Sequence, residues 1–303
     1  MSIIVSGASG QFGRRVTARL LERYAPSELI LVTRTPESLA DLATRGARVR
    51  FGDFDEPQSL APAFAGGERL LLISTLSVGR RLEQHRHAIE AAARAGVRHI
   101  VYTSSVGIHP QSPALVIRDH LGTEEVLRRS GLTYTILRDA QYAEVLTTLL
   151  APQAIASGKW FASAADGCMA FVSKDDCVAS ATCVLTEPER HAGAVYEITG
   201  PQLHSFRDAA ALAAELSGKP IEYVVVSDAE KQAMFDAAGV PRSYHEGMYH
   251  TATSAWSSDD MVSYERAIRE GYFAVCSHHV KLITGRRARS LRELFERDRG
   301  ALG

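Results

Sequence analysis

The chain lacks several features that would set its class at once. No apolar run approaches the roughly 18 residues of a bilayer span; the longest, such as Leu70–Leu71–Leu72–Ile73, are strand-sized. Four cysteines (Cys168, Cys177, Cys183 and Cys276) show no CxxC spacing, so neither a disulfide framework nor a zinc site is signalled. Charge of one sign is also missing. Lys and Arg total 34 against 35 Asp and Glu, a formal charge of −1 that gives no pull toward nucleic acid or an anionic membrane. Met1–Ser2 run straight into Ile3–Ile4–Val5 without a basic n-region, so no secretory signal is expected and the cytoplasm is the default compartment. What is present is ordinary globular composition, 46% hydrophobic and 23% charged, which excludes disorder.

The first half alternates short β-branched runs with longer amphipathic stretches, the mark of a parallel sheet covered by helices. Strands are predicted at Ser2–Ser6, Leu29–Thr33, Val49–Phe51, Arg69–Ile73, His99–Thr103 and Thr133–Leu137. Helices are expected after the first strand and over Leu82–Arg94, the latter stopped by Gly96. Beyond Tyr142 the rhythm changes. Further strands are predicted at Phe171–Ser173, Val195–Thr199 and Ile221–Val226, with a helix over Asp208–Leu216. The expected architecture is α/β: a Rossmann-type doubly wound sheet over residues 1–150, to which strands near 170–200 return. A smaller mixed lobe over 151–303 would wall a substrate cleft.

Residues Ile3–Gly13 read I-I-V-S-G-A-S-G-Q-F-G, with Gly7, Gly10 and Gly13 between a strand and an amphipathic helix. In such a fingerprint the first glycine makes the turn, the second admits a pyrophosphate and the third packs helix on strand. The amides of the helix start then hold the phosphates. Gly7, Ser9, Gly10, Gln11, Phe12 and Gly13 are therefore the expected cofactor loop. An NAD site normally carries an acid about 20 residues further on; here the second strand ends Leu31–Val32–Thr33–Arg34. Arg34 offers a planar cation to a 2′-phosphate, with possible help from Arg14, so NADP(H) is the expected cofactor. Asp53 and Phe54, after the third strand, suit the adenine amino group and ring, although Gly52–Asp53 is equally good turn chemistry.

These stretches resemble the NmrA-like branch of the atypical short-chain dehydrogenase/reductases, nearest its quinone oxidoreductases and triphenylmethane reductases. The likeness runs through F-G-D-F-D-E-P-Q-S-L, A-G-V-R-H-I-V-Y-T-S, D-H-L-G-T-E-E-V-L, G-L-T-Y-T-I-L-R-D-A-Q-Y and F-V-S-K-D-D-C-V-A, nearly the whole chain. It implies a nicotinamide against the ends of the fourth and fifth strands. Ser74, Thr75, Leu76 and Thr103–Ser105 (Ser104 among them) would line that side, and Tyr142 with Gln141–Glu144 would close it.

The resemblance also frames what is missing. The Tyr-x-x-x-Lys pair of typical short-chain reductases is absent: four residues before Lys159, Lys174, Lys219, Lys231 and Lys281 stand Ile155, Ala170, Glu215, Ser227 and Ser277. Lignan-type relatives carry a lysine eleven residues before the glycine of G-[IL]-x-Y-T; here that position, before Gly131, is His120. His120 and Tyr142 are the expected catalytic residues. His120 would act as acid or orienting donor, or else merely open a helix over His120–Arg129.

Phe161, Tyr249 and Trp256 are further aromatic candidates for the cleft, and no metal is expected. His85 and His87 fall on different helix faces, His245 and His250 are five apart, and His278–His279 are expected at the surface. No GxSxG supports hydrolysis. The expected activity is NADPH-dependent reduction of a quinone or similar electron-poor aromatic, lignin-derived and dye-type acceptors being the alternative substrates. A redox sensor that binds NADP(H) without turnover is the competing class. The Arg-rich stretch Lys281–Arg299 leaves open either a homodimer contact or a solvated face.

Overall fold

The structure is a computed structural model that describes residues 2–244 and 257–302. The chain runs β1 (Ile3–Ser6), α1 (Gln11–Leu20), β2 (Leu29–Thr33), α2 (Ala40–Thr44), β3 (Arg48–Phe51), α3 (Pro57–Phe64), β4 (Arg69–Leu72), α4 (Arg81–Arg94) and β5 (His99–Ser105). Then come α5 (Leu115–Arg129), β6 (Thr133–Asp139), α6 (Ala151–Ser157), β7 (Lys159–Ala162), β8 (Cys168–Met169), α7 (Lys174–Thr186) and β9 (Val195–Ile198). The remainder is β10 (His204–Ser205), α8 (Phe206–Ser217), β11 (Glu222–Val225), α9 (Asp228–Ala237), α10 (Ser258–Arg269), α11 (His279–Thr284) and α12 (Leu291–Arg297).

Seven strands form one sheet in the order β3-β2-β1-β4-β5-β6-β9, every neighbouring pair parallel. This is the doubly wound order, and it reverses between β1 and β4, where such sheets open a ligand crevice at their carboxyl ends. Alternation along the strands explains the two-sided burial. Ile3, Val5, Leu29, Leu31, Leu71 and Val101 face α1 and α7 in one core. Their neighbours Ile4, Ile30, Leu70, Leu72, Ile100 and Tyr102 face α3, α4 and α5 in another.

The segment after residue 150 contributes to both layers: β9 pairs with β6 and α7, almost wholly buried, underlies the sheet. Phe171–Ser173 is not a strand; only Val172 pairs, as a single bridge to Tyr142. Its β-branched run is too short to make a ladder before Ser173 caps α7. Two small ladders, β8 with β10 and β7 with β11, stand apart from the seven-stranded sheet. The arginines of the C-terminal stretch are largely tied to their own chain: Arg287 to Glu293, Arg289 to Asp175, Arg292 to Glu215 and Arg297 to Asp298.

Candidate cofactor and active site

The loop after β1 turns at Gly7, whose φ of +61° is costly for any residue with a Cβ. Gly13 lies against that turn: a Cβ there would stand 2.4 Å from the Gly7 carbonyl oxygen and 2.8 Å from Ala8 Cα. Helix α1 starts after Gly10 with no side-chain cap, so the N–H groups of Gln11, Phe12 and Gly13 have no intrahelical acceptor. Ser9 ties the loop to the tip of β2 through a 2.7 Å hydroxyl contact with Thr33. Arg14 donates to the Ser9 carbonyl at 3.2 Å and also to the Ser38 carbonyl. Arg34 follows Thr33 at the tip of β2, exposed and without an ion pair among the described residues. Asp53 is partly spent on its turn, Oδ1 accepting from the Asp55 N–H at 3.0 Å. Phe54 is half-buried, meeting the His85 ring edge-on at 6.4 Å.

At the end of β4, the Ser74 N–H donates to Thr103 Oγ1 at 2.9 Å, joining two residues of the expected nicotinamide side. Thr75 follows directly, half-buried. Ser104 departs from expectation. Strand alternation turns its hydroxyl onto α5, where it donates to Glu124 Oε1 at 2.8 Å. Glu124 is fully buried and also receives Arg128 and Arg138 at 2.7 Å. Ser104 thus belongs to a closed network that fastens β5 and β6 to α5.

His120 does not open a helix. It lies in the second turn of α5, 5% exposed. Its Nδ1 is 2.7 Å from the Tyr102 hydroxyl and its Nε2 is 3.3 Å from Arg81 Nη1. Burial, then the Arg81 charge, hold its pKa well below the usual histidine value. A neutral imidazole with both nitrogens engaged has no proton free for a ligand.

Tyr142 is half-buried, stacked on Phe12 at 6.4 Å with 16° between the rings. Its hydroxyl donates inward, to Asp139 Oδ2 at 3.2 Å. Burial first, then the Asp139 carboxylate, push its phenol well above the ordinary range. Lys174 Nζ sits 5.4 Å over the same ring and donates to Gln11 Oε1 at 2.9 Å. Tertiary folding thus sets a lysine beside the tyrosine that no local motif supplies. Gln141 Oε1, buried, has no partner among the described residues and marks an acceptor available at the end of β6.

Burial pushes the Asp139 carboxyl up to about 7 against hydrogen bonds from Tyr142 and Cys177 that lower it. The folded chain therefore holds a proton that the unfolded chain, with an ordinary aspartate pKa of about 3.9, releases. That contribution to stability is complete below about pH 4 and is lost as pH rises through 7. Asp139→Asn should consequently flatten the fall in melting temperature between about pH 5 and 8; parallel thermal scans of both chains check this, and identical slopes count against it.

Of the other candidates, Phe161 is half-buried in β7, and Tyr249, Trp256, His245 and His250 lie outside the described residues. His279 is not a surface residue: half-buried, it accepts the Glu197 N–H at Nδ1, 2.9 Å away. Arg81, His85, Asp139 and Lys174 were missed by sequence reasoning. Only the scarcity of lysine could have drawn attention to one of them.

The family model for NAD(P)H-binding proteins matches residues 7–151. Quinone oxidoreductase 2 of Escherichia coli is 36% identical over 240 residues, 79% of this chain and 82% of that protein. Its NADPH complex superposes with a TM-score of 0.87 at 32% identity, covering 97% of this chain and 99% of the other. Triphenylmethane reductase of Citrobacter sp., complexed with NADP(H), gives 0.86 at 30% identity over 98% and 100% of the two chains. An NmrA-like oxidoreductase of Aspergillus flavus is 28% identical over 85% of each chain. The glycine loop at the sheet's switch point and these near full-length likenesses agree: the chain belongs to the NmrA-like atypical short-chain dehydrogenase/reductases, a family of NAD(P)H-binding oxidoreductases.

Proposed function

We propose that this chain is an NADPH-dependent reductase of quinones or similarly electron-poor small aromatics. One observation carries the reading: the glycine loop opens at the switch point of the sheet, while the two expected proton donors, His120 and Tyr142, are both committed inward. The loop fits the cofactor, because the amides at the start of α1 have no side-chain cap and Arg34 is exposed with no ion pair among the described residues. On this reading the amides of Gln11 and Phe12 hold the pyrophosphate, and Arg34 with Arg14 holds the 2′-phosphate. Asp53 takes the adenine amino group on its remaining oxygen, with Phe54 beside the ring. Ser74, Thr75 and Thr103 line the nicotinamide end, closed by Tyr142; His120 orients and does not protonate.

Bound NADPH would supply two electrons as hydride. The protein's part is to bind, orient and exclude water, and positioning of this kind is worth many orders of magnitude. Quinone reduction suits that division of labour, since the product is a phenolate delocalised into its ring and needs little proton assistance. An aliphatic ketone would leave an alkoxide with no placed donor. The likeness to triphenylmethane reductase favours dye-type aromatics as the second substrate class. We also place the protein in the cytoplasm, in keeping with four free cysteines. The division into a cofactor core over 1–150 and a substrate lobe over 151–303 is part of the same proposal.

The test is loss of the reduced-nicotinamide absorbance band with benzoquinone, naphthoquinone, a triphenylmethane dye and an aliphatic ketone. Quinones should accelerate NADPH oxidation and the ketone should not. Tight NADPH binding with no acceleration by any acceptor would instead identify a sensor.

A further inference from the structure

All three polar groups of Thr75 are held by one turn of α4. Its N–H donates to His85 Nε2 at 3.2 Å, its hydroxyl to Gln84 Oε1 at 2.7 Å, and its carbonyl accepts from Arg81 Nε at 2.6 Å. Arg81 is the hub. It is 5% exposed, its Nη1 also reaches His120, and no carboxylate lies within ion-pair distance of it among the described residues. Asp119 and Asp260 feel its charge from beyond that distance, and Asp119 instead accepts the Gly79 N–H at 2.7 Å.

Donor counting fixes the protons of both histidines. A guanidinium can only donate, so His120 Nε2 accepts and its ring proton sits on Nδ1, toward the Tyr102 oxygen. A backbone N–H can only donate, so His85 Nε2 accepts as well. Its Nδ1–H then donates to Thr123 Oγ1 at 3.1 Å, and that hydroxyl donates on to the Asp119 carbonyl at 2.7 Å. A buried cation beside both rings opposes a second proton on either. The network therefore has one self-consistent arrangement, and it ends on the backbone of Thr75.

We propose that Arg81 is a positioning residue of the active site: it locks the Thr75 corner, directly through the carbonyl and indirectly through His120 and α5, into the geometry on which the nicotinamide end is laid. This rests on the nicotinamide placement proposed above. Without Arg81 the Thr75 carbonyl loses its charged donor and the corner can relax, and misplacement by about 1 Å is enough to cost roughly 100-fold in a transfer step.

Five measurements test it. Side-chain nitrogen NMR of the unaltered protein should show His85 and His120 protonated at Nδ1, with no titration between about pH 5 and 8; a proton on His120 Nε2 overturns the proposal without any variant. In Arg81→Lys, which keeps the charge but loses the guanidinium fork, NADPH affinity should stay within about threefold, because the phosphate contacts lie elsewhere. The emission of bound NADPH should shift, and kcat with a quinone should fall by about 10- to 100-fold at nearly constant KM. With NADPH deuterated on the face from which the parent protein transfers hydride, part of the label should also be retained in the NADP+ formed.

Arg81→Met is the more severe companion variant; where it fails to fold, Arg81→Lys carries the test. Ser74→Leu separates the two ideas. If it alters bound-NADPH emission and turnover while Arg81→Lys changes neither, the nicotinamide placement stands and the role of Arg81 falls. If Ser74→Leu changes neither, the placement itself is wrong.

Discussion

A Gly10→Asp chain is expected to fold as well as the parent and to lose at least about 100-fold in affinity for NADPH and NADH alike, close to 3 kcal/mol. Folding should survive because Gly10 has φ −72° and ψ 164°, an extended conformation open to any residue. A Cβ there meets only the Gly7 carbonyl oxygen at 3.3 Å. An aspartate at this position is moreover a good helix cap, and could add about 1 kcal/mol by accepting the free amides of α1. That is the reason binding should collapse. The cap consumes the donors meant for the pyrophosphate and puts a carboxylate where two phosphate charges must lie. Thermal unfolding and nicotinamide fluorescence, measured on one preparation, should move in opposite directions. Retained NADPH affinity would remove the loop from the cofactor site. Gly13→Ala makes a contrasting control, since its Cβ would stand 2.4 Å from backbone, and it should lose stability and binding together.

The second large effect concerns cofactor choice. The parent chain is expected to bind NADPH at least about tenfold more tightly than NADH, and Arg34→Asp should reverse that order. Arg34 stands exposed at the tip of β2 with no ion pair among the described residues. A 2′-phosphate would give it a bidentate, charge-assisted partner. Aspartate at the same position would repel that phosphate and accept instead from the 2′-hydroxyl of NADH. The gain from Arg34 should shrink with added salt, since the site is open to solvent. Equal affinities of the parent for the two cofactors would end the argument. Arg14 should matter less, because its guanidinium already serves the Ser9 and Ser38 carbonyls.

Much of this molecule was legible before any coordinates. Strand β2 matches its predicted span residue for residue, and the other five early strands differ only at their ends. Most are apolar on both faces, a pattern that each such segment carries within itself. Gly7, Gly10 and Gly13 could be assigned because backbone conformation and close approach are requirements on single positions. The extension of β5 to Ser105 and β6 to Asp139 was not visible, since the polar ends Ser104–Ser105 and Arg138–Asp139 join the ladder only through tertiary pairing, with each other and, for Arg138–Asp139, with β9.

By itself the sequence determined the parallel α/β fold, the glycine-rich turn between β1 and α1 and the absence of a Tyr-x-x-x-Lys pair, all properties of short contiguous stretches. The tertiary structure alone decided what the polar side chains are doing. Whether His120 has a proton to give depends on Arg81, 39 residues away, and the Ser104 hydroxyl is spent on Glu124, 20 residues on. Lys174 meets Gln11 across 163 residues. A hydroxyl, imidazole or ammonium has the same identity in every sequence context, but its chemistry follows from the partner that folding brings within about 3 Å. That partner is set by packing, which no local pattern records.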